Sequence, residues 1–396
     1  MTIAPFSISG LPQIVFGAGS LSQVPALLQP FGRRVLIVTG ARAFRGSLHW
    51  QALVDALKGR GFSWEDMVVE REPSPQLVDQ AVRVYRHSGI EMVLAIGGGS
   101  VLDAAKAIAG LLPHGNSVMD HLEGVGPELP YKGPSLPFVA VPTTAGTGSE
   151  ATKNAVLSVQ GEGGFKKSFR HDLLVARYAV IDPDLLASCP PELIAANGMD
   201  ALTQLLESFV SLRANPFADA LALSGLGYVR DGLLNWYEGG SKAVEGRAGM
   251  AYAALLSGIT LAQVGLGSVH GLAAPLGAFF PISHGAACGA TVAAATQINI
   301  RTMEQRVPDS PALVKYARIG RLFSGNAQLD DLGARSELVR ILTEWTARMN
   351  IPPLRVCGMR ESDLDLVVAN CRGSSMKTNP VVLTDGEVRE ILLHCL

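Results

Sequence analysis

The chain has 396 residues, of which 48% are hydrophobic and 17% are charged. This length favours two domains, and the composition is that of a globular protein, which excludes a disordered or coiled-coil chain. Lys and Arg number 33 against 35 Asp and Glu, for a net charge of -2, so nothing indicates nucleic acid or an anionic membrane as a partner.

The first half of the chain alternates short β-branched runs with helical stretches, which predicts an α/β domain with a largely parallel sheet. In chain order the predicted elements are a strand at 34–39, a helix at 49–59, a strand at 67–70, a helix at 75–88, a strand at 92–96, a helix at 101–112 and a strand at 138–141. After Asp182-Pro183 the sequence has helical periodicity almost throughout. We therefore expect an α/β domain at 1–185 and an all-α domain at 186–396.

The segment from Ala248 to Ile300 contains no Asp, Glu, Lys or Arg. Glycine and proline residues divide it into pieces shorter than the roughly 20 residues that a membrane-spanning helix needs. We therefore expect these pieces to be helices buried inside the second domain of a protein that does not enter the membrane.

The cysteines are widely spaced and form no C-x-x-C pair: Cys189, Cys288, Cys357, Cys371 and Cys395. This spacing predicts neither a disulfide framework nor a zinc site made of thiolates. Residues 1–10 also lack the basic and then apolar pattern of a signal peptide. Both observations favour free thiols in the cytoplasm.

A glycine turn, Gly97-Gly98-Gly99-Ser100, lies between a predicted buried strand and a predicted helix. Glycines let the backbone approach a phosphate closely, and the N-terminus of a helix offers free N–H groups. Ser100 suits the N-cap position, with Asp103 three residues later in the position of a capping box. Because three glycines cost more backbone entropy than a turn needs, we favour phosphate binding over a turn that binds nothing.

A threonine loop, P-T-T-A-G-T-G-S-E at 142–150, follows the last predicted strand. Sheets of α/β proteins bind ligands at such strand ends. Small hydroxyl and glycine residues supply hydrogen bonds without bulk, which suits a pyrophosphate or a ribose. The alternative is an ordinary polar loop, and neither this loop nor the glycine turn matches the G-x-G-x-x-G fingerprint.

The charge-free segment holds two histidines, His270 and His284, each followed by glycine. Burying unpaired polar groups is costly, so we favour metal ligands over two satisfied core histidines. Upstream, Asp200, Gln204 and Glu207 share one face of a helix predicted at 191–211, which taken alone indicates a solvated polar stripe. Neutral imidazoles with a carboxylate suit Fe²⁺ or Zn²⁺.

The string G-G-G-S-x-x-D-x-A-K at 97–106, followed by the threonine loop, resembles the paired cofactor motifs of the iron-containing alcohol dehydrogenases. These belong to the dehydroquinate synthase-like superfamily, and the likeness runs nearly from end to end. It implies an N-terminal dinucleotide-binding domain, a helical metal and substrate domain, and a homodimer. Together with Gly40 and Asp103, the candidate contacts to NAD(P) are Gly97, Gly98, Ser100, Thr143, Thr144, Thr147 and Lys166.

The resemblance also implies a metal held by Asp200, His270 and His284. The fourth ligand of the family is a histidine, and this chain has Gln204 in that position. A glutamine carbonyl oxygen can ligate a metal, although it is a weaker and harder donor than imidazole. A second departure is Ala274, where many alcohol-oxidising relatives have a histidine thought to relay the proton.

The end of the first predicted strand indicates which nicotinamide cofactor is used. NAD-preferring relatives often carry an aspartate there, and this chain has Gly40, with Arg42 and Arg45 close behind. Without a carboxylate a 2′-phosphate meets no repulsion, and an arginine can pair with it. This favours NADP(H), with two solvated loop arginines as the alternative.

The expected function is that of a metal-dependent, NAD(P)-linked alcohol dehydrogenase or aldehyde reductase that acts on a small alcohol or aldehyde. Asp200, His270 and His284 would be its catalytic residues. One alternative is a lyase like dehydroquinate synthase, which needs basic residues around a substrate phosphate that the charge-free segment does not supply. The other alternative is a non-catalytic nucleotide binder.

Overall fold

The structure, a computed structural model, describes residues 3–161 and 163–396. The described chain forms two compact units. Ser9–Val159 and Gly164–Cys189 make up the α/β unit, and Pro190–Leu396 make up most of the helical unit. The domain boundary expected at residue 185 stays a prediction.

A six-stranded parallel sheet forms the centre of the α/β unit. The strands of this unit are β1 Gln13–Phe16, β2 Arg34–Gly40, β3 Ser63–Val69, β4 Met92–Gly97, β5 Phe138–Pro142, β6 Asn154–Val159, β7 Phe165–Arg170 and β8 Tyr178–Ile181. The order across the sheet is β1-β8-β5-β4-β2-β3, while β6 and β7 pair antiparallel by themselves. Strands β4 and β5 are buried along their whole length, as expected for apolar runs covered on both faces.

The helices of the α/β unit are α1 Val24–Leu28, α2 Leu48–Gly59, α3 Pro75–Tyr85 and α4 Gly99–Leu111. Helix α4 is rich in alanine and buried along most of its length. All four predicted strands and all three predicted helices of this half are present, with shifted ends. Strands β1, β6, β7 and β8 and helix α1 were not predicted from the sequence.

The helical unit contains α5 Pro191–Val210, α6 Pro216–Glu238, α7 Ala243–Val264, α8 Ser268–Phe279, α9 His284–Arg306, α10 Pro311–Ser324, α11 Asp331–Arg348, α12 Leu364–Asn370 and α13 Asp385–Cys395. The charge-free segment forms most of α7, all of α8 and most of α9, and most of its side chains are buried. The predicted fold class, a parallel α/β domain followed by a helical domain, is confirmed.

Among the described residues, no single helix has both the length and the hydropathy of a membrane span. Helices α7 and α8 reach both only as a pair, and the chain bends by 103° between them.

Candidate functional site

The glycine turn and the threonine loop lie side by side at the carboxyl ends of β4 and β5. Gly97 and Pro142 are partners in the register of the parallel pair. The backbone N–H of Thr143 donates to the carbonyl oxygen of Gly97 at 3.0 Å. The sheet therefore brings together two motifs that are about 40 residues apart in sequence.

The glycines of the turn are required by this close packing. A β-carbon at Gly99 would lie 2.7 Å from Thr147 Oγ1, and one at Gly98 would lie 3.3 Å from Thr144 Oγ1. The first distance is shorter than side chains tolerate. Glycine thus lets the threonine loop pack directly on the backbone of the turn, which places the hydroxyls of Thr144 and Thr147 beside the start of α4.

The start of α4 differs from the prediction. Gly98, with extended backbone, occupies the N-cap position, and no side chain caps the helix. The expected cap at Ser100 is therefore wrong, and the carboxylate of Asp103 instead accepts a hydrogen bond from Ser149 Oγ at 2.5 Å. The first turn of α4 consequently presents backbone N–H groups that have no partner within the helix.

A buried lysine fixes the end of the threonine loop to α4. Lys106 Nζ donates to the carbonyl oxygens of Ser149 and Asn154 and to the hydroxyls of Ser149 and Thr152, at 2.6 to 3.0 Å. Asp103 Oδ1 lies 3.7 Å from the same nitrogen. Burial lowers the pKa of Lys106 to about 8, so the ammonium form predominates at neutral pH.

Gly40 ends β2, the neighbour of β4 on the side away from β5. Arg45 follows it and donates to Thr39 Oγ1 at 2.5 Å and to Asp66 Oδ1 at 2.6 Å. The guanidinium also stacks 4.6 Å from the ring centroid of Trp50. One of the two arginines is therefore held at the end of β2, whereas Arg42 is exposed.

The remaining predicted cofactor contact, Lys166, lies on β7. Its Nζ donates to Glu72 Oε1 at 2.8 Å, and the other oxygen of this carboxylate accepts from Ser158 Oγ at 2.7 Å. The structure places Lys166 in this ion pair, and its contact with a dinucleotide stays a prediction.

In the helical unit, Asp200 on α5, His270 on α8 and His284 at the start of α9 converge. Asp200 Oδ1 lies 3.2 Å from His270 Nε2 and 3.8 Å from His284 Nε2. Asp200 Oδ2 is buried and has no hydrogen-bond partner among the described residues. With Cys288 these residues form a candidate metal-binding group, called the metal cluster below, whose potential ligand atoms all lie within 4.8 Å of one another.

Glu207 orients one of the histidines. Its Oε2 lies 2.7 Å from His270 Nδ1, and its Oε1 accepts from the backbone N–H of Val269 at 2.7 Å. A hydrogen bond from Nδ1 to a carboxylate keeps the proton on Nδ1. It leaves the lone pair of Nε2 available to a metal and turns Nε2 toward Asp200. Sequence reasoning gave Glu207 no role in the site.

The polar face of α5 is buried, not solvated. The exposed fractions are 1% for Asp200, 3% for Gln204 and 3% for Glu207, so the alternative of a solvated stripe is wrong. Gln204 Nε2 donates to Asp200 Oδ1 at 3.0 Å, and Gln204 Oε1 accepts from Ser257 Oγ at 2.8 Å. The atom expected to ligate a metal thus already accepts a hydrogen bond.

The glycine after each histidine has a packing role. A β-carbon at Gly285 would collide with the backbone carbonyl of Ala196, one turn before Asp200 on α5. A β-carbon at Gly271 would lie 3.1 Å from the carbonyl oxygen of Cys371. Each glycine therefore lets the helix that carries its histidine approach its neighbour closely.

Cys288 is the member of the metal cluster that sequence reasoning missed. Its Sγ lies 3.8 Å from His270 Nε2 and 4.0 Å from His284 Nε2. Burial raises the pKa of this thiol to about 11, a shift that a bound cation would oppose. The available signal was the spacing, because Cys288 is four residues after His284 and shares its helix face.

Comparison with known proteins identifies the family of this chain. Residues 12–183 match the family model of the iron-containing alcohol dehydrogenases, and residues 194–396 match the model of the C-terminal part of the same family. The long-chain-alcohol dehydrogenase 1 of Geobacillus thermodenitrificans is 32% identical over 95% of this chain and 93% of its own. The NADPH-dependent butanol dehydrogenase of Clostridium saccharobutylicum is 29% identical over 96% and 95%.

Among solved structures, a 1,3-propanediol oxidoreductase superposes with a TM-score of 0.89 at 27% identity, over 99% of this chain and all of that one. Relatives and structure thus agree over nearly the whole length, which favours a dehydrogenase over a lyase or a non-catalytic binder. The chain belongs to the iron-containing alcohol dehydrogenase family and is an alcohol dehydrogenase.

Proposed function

We propose that the chain oxidises a small alcohol, or reduces the matching aldehyde, at a divalent iron or zinc ion held by Asp200, His270 and His284. The convergence of one carboxylate and two imidazoles carries this proposal. The buried Asp200 Oδ2 supports it, because a carboxylate oxygen without a partner is costly unless it faces a cation. When bound, the metal supplies Lewis acidity toward the substrate oxygen, and the nicotinamide supplies or accepts the hydride.

The other side chains of the site hold these ligands in place. Glu207 keeps the proton on His270 Nδ1, and Gln204 holds Asp200 through its amide N–H. Ala274, one turn after His270 on α8, has no group that moves a proton. We propose that the alcohol proton leaves through water at this position.

The proposed dinucleotide site lies at the carboxyl edge of the sheet in the α/β unit. The pyrophosphate would sit on Gly98, Ser100 and the free N–H groups of α4, with Thr143, Thr144 and Thr147 beside it. Two observations support this: the threonine hydroxyls packed on the glycine turn and the uncapped start of the helix. Asp103 would act indirectly, by accepting the hydrogen bond that holds Ser149 of the threonine loop in place.

NADP(H) is the proposed cofactor, because the end of β2 has no carboxylate and carries a held arginine. Arg45 lies against Thr39, next to Gly40. A 2′-phosphate at this position would meet a guanidinium, which also pairs with Asp66 on β3, and no carboxylate on the end of β2 itself. A homodimer belongs to the same proposal and rests on the family resemblance. A cytoplasmic location also belongs to it and rests on the spacing of the cysteines.

Replacing Gly40 by aspartate is expected to shift the preference toward NADH. A β-carbon there meets Val101 at 3.9 Å, an ordinary contact, so a side chain fits. Repulsion between the new carboxylate and a 2′-phosphate, worth about 1 to 4 kcal/mol near a surface, should lower the ratio of kcat/KM for NADPH to that for NADH by about tenfold or more. Gly40→Asn is the control, with the same shape and no charge. A wild-type preference for NADH would contradict the proposal.

Replacing Glu207 by glutamine is expected to lower metal affinity by about 10- to 100-fold. Both carboxylate oxygens of Glu207 accept hydrogen bonds. The glutamine amide has one acceptor oxygen, so the hydrogen bond from Val269 N–H or the one from His270 Nδ1 would be lost. Titration of the metal-free protein with zinc measures the change. Glu245→Gln, on the exposed start of α7, should leave the affinity unchanged. Equal affinities for the wild type and the Glu207 variant would show that this carboxylate does not orient a ligand.

The function itself is tested by following the oxidation of NADPH and NADH with a panel of small aldehydes. Turnover with at least one short-chain aldehyde is expected. Cofactor binding without turnover of any aldehyde or alcohol would overturn the proposal and favour the alternative function, that of a non-catalytic nucleotide binder.

A further inference from the structure

The family's set of metal ligands is incomplete in this chain, and the structure places another donor in the cluster. Where the resemblance to the family implies a histidine one turn after Asp200 on α5, this chain has Gln204. The thiol of Cys288, on α9, lies beside the other members of the metal cluster. Its Sγ is 3.8 Å from His270 Nε2 and 4.0 Å from His284 Nε2.

Four of the six distances between the potential ligand atoms suit a single ion, and all six lie within 4.8 Å. Zinc bonds of about 2.0 to 2.3 Å put two donors of one tetrahedral ion about 3.3 to 3.6 Å apart. Asp200 Oδ1 lies 3.2 Å from His270 Nε2 and 3.8 Å from His284 Nε2. The distances from Cys288 Sγ to the two histidine nitrogens are 3.8 and 4.0 Å. All four distances are within a few tenths of an ångström of the separations that a tetrahedral zinc ion requires.

Gln204 is engaged elsewhere. Its carbonyl oxygen accepts from Ser257 Oγ at 2.8 Å, and its amide nitrogen points at Asp200 at 3.0 Å. In this orientation the amide nitrogen, which cannot ligate a metal, is the Gln204 atom bonded to Asp200, while Ser257 Oγ also lies 2.8 Å from the carbonyl oxygen of Ala254. Gln204 therefore serves as a support for Asp200.

The backbone of α9 holds Cys288 in place. His284 and Cys288 are one helical turn apart on the same face. Gly285 packs on the backbone of Ala196, and a β-carbon at Gly289 would lie 3.1 Å from Met199 Cβ. Each glycine follows a member of the metal cluster by one residue, so the close packing at the glycines brings α9 against α5 beside Asp200.

We propose that Cys288, as a thiolate, is the fourth protein ligand of the metal and replaces the family's missing histidine. This inference rests on the proposed function. The thiol gives up its proton to water when the metal binds, and the Asp-His-His-Cys set favours zinc or cobalt over iron, because thiolate is a soft donor.

Cobalt provides a readout that does not depend on activity. The full-length protein is stripped of metal and titrated with Co²⁺ under anaerobic conditions. We expect one Co²⁺ per chain and an intense near-ultraviolet thiolate-to-cobalt charge-transfer band. The band should be lost in Cys288→Ser, with Co²⁺ affinity lowered about tenfold or more, and kept in Gln204→Ala and in the matched control Cys357→Ser.

X-ray absorption of the zinc-loaded wild type needs no variant and should show one sulfur neighbour at about 2.3 Å. Binding of Co²⁺ without the band, or a band that persists in Cys288→Ser, would overturn the thiolate ligand and leave the proposed function standing. If no divalent ion binds to the wild type at all, the proposed metal centre fails together with this inference.

Discussion

Replacing Asp200 by alanine is expected to lower kcat/KM for a small aldehyde by about 10³-fold or more, since a metal Lewis acid contributes several kcal/mol and each 1.36 kcal/mol is a factor of ten. Asp200 is the anionic donor of the metal cluster, within 3.2 Å of His270 Nε2 and 3.8 Å of His284 Nε2. Without its charge, two imidazoles and a thiol would have to hold the ion. Steady-state oxidation of NADPH measures the loss, and elemental analysis should show the ion depleted.

The matched control is Asp231→Ala, which removes an exposed carboxylate on α6 that pairs with its neighbour Arg230. Its turnover and metal content should equal those of the wild type. An Asp200 variant that keeps wild-type turnover would show that the metal cluster has no part in the reaction.

Replacing Gly285 by alanine is expected to impair both folding and catalysis. The added methyl group would collide with the carbonyl of Ala196, a backbone group that cannot rotate away. Overpacking of this kind costs about 1 to 3 kcal/mol of unfolding free energy. A shift of α9 away from α5 would also separate His284 from Asp200, and a displacement of about 1 Å can cost about 10²-fold in rate.

Gly227→Ala is the matched control for this variant. Gly227 is also inside a helix, α6, but a β-carbon there meets nothing within 4 Å. This change should raise the unfolding free energy by about 0.5 to 1 kcal/mol, because alanine restricts the unfolded chain more than glycine does. Chemical denaturation and steady-state kinetics distinguish the two. If Gly285→Ala behaved like its control, the two helices would not be packed as closely as described.

The parts of the fold that the sequence predicts are those with a strong local pattern. Runs such as Val35 to Val38 and Met92 to Ile96 are β-branched or aliphatic, and both are buried strands. The strand β1 has mostly exposed side chains. It is a strand because it pairs with β8 through backbone hydrogen bonds, and the side-chain pattern of a sequence does not reveal such pairing.

The error at the start of α4 has a similar origin. Serine is a preferred N-cap residue, so the sequence favours Ser100. In the structure the helix begins two residues earlier, because Gly98 can leave β4 with extended backbone and accept hydrogen bonds from the N–H groups of Val101 and Leu102. Close packing on the threonine loop, a tertiary contact, decides the boundary.

The metal cluster was only partly predictable for a physical reason. His270 and His284 stand out because their segment has no charged residue. The orientation of the Gln204 amide depends on its hydrogen bond with Ser257. The distance from Cys288 to the histidines depends on how α9 packs against α5. Both depend on helices distant in sequence, so the sequence could suggest the centre without fixing its fourth ligand.

Metal content and chelation test the metal-dependent dehydrogenase most directly. Freshly purified protein is analysed for iron and zinc, and oxidation of NADPH with small aldehydes is followed before and after a chelator. We predict one iron or zinc ion per chain and activity that disappears on chelation and returns when metal is restored. Undiminished turnover by the metal-free protein would contradict the proposed mechanism.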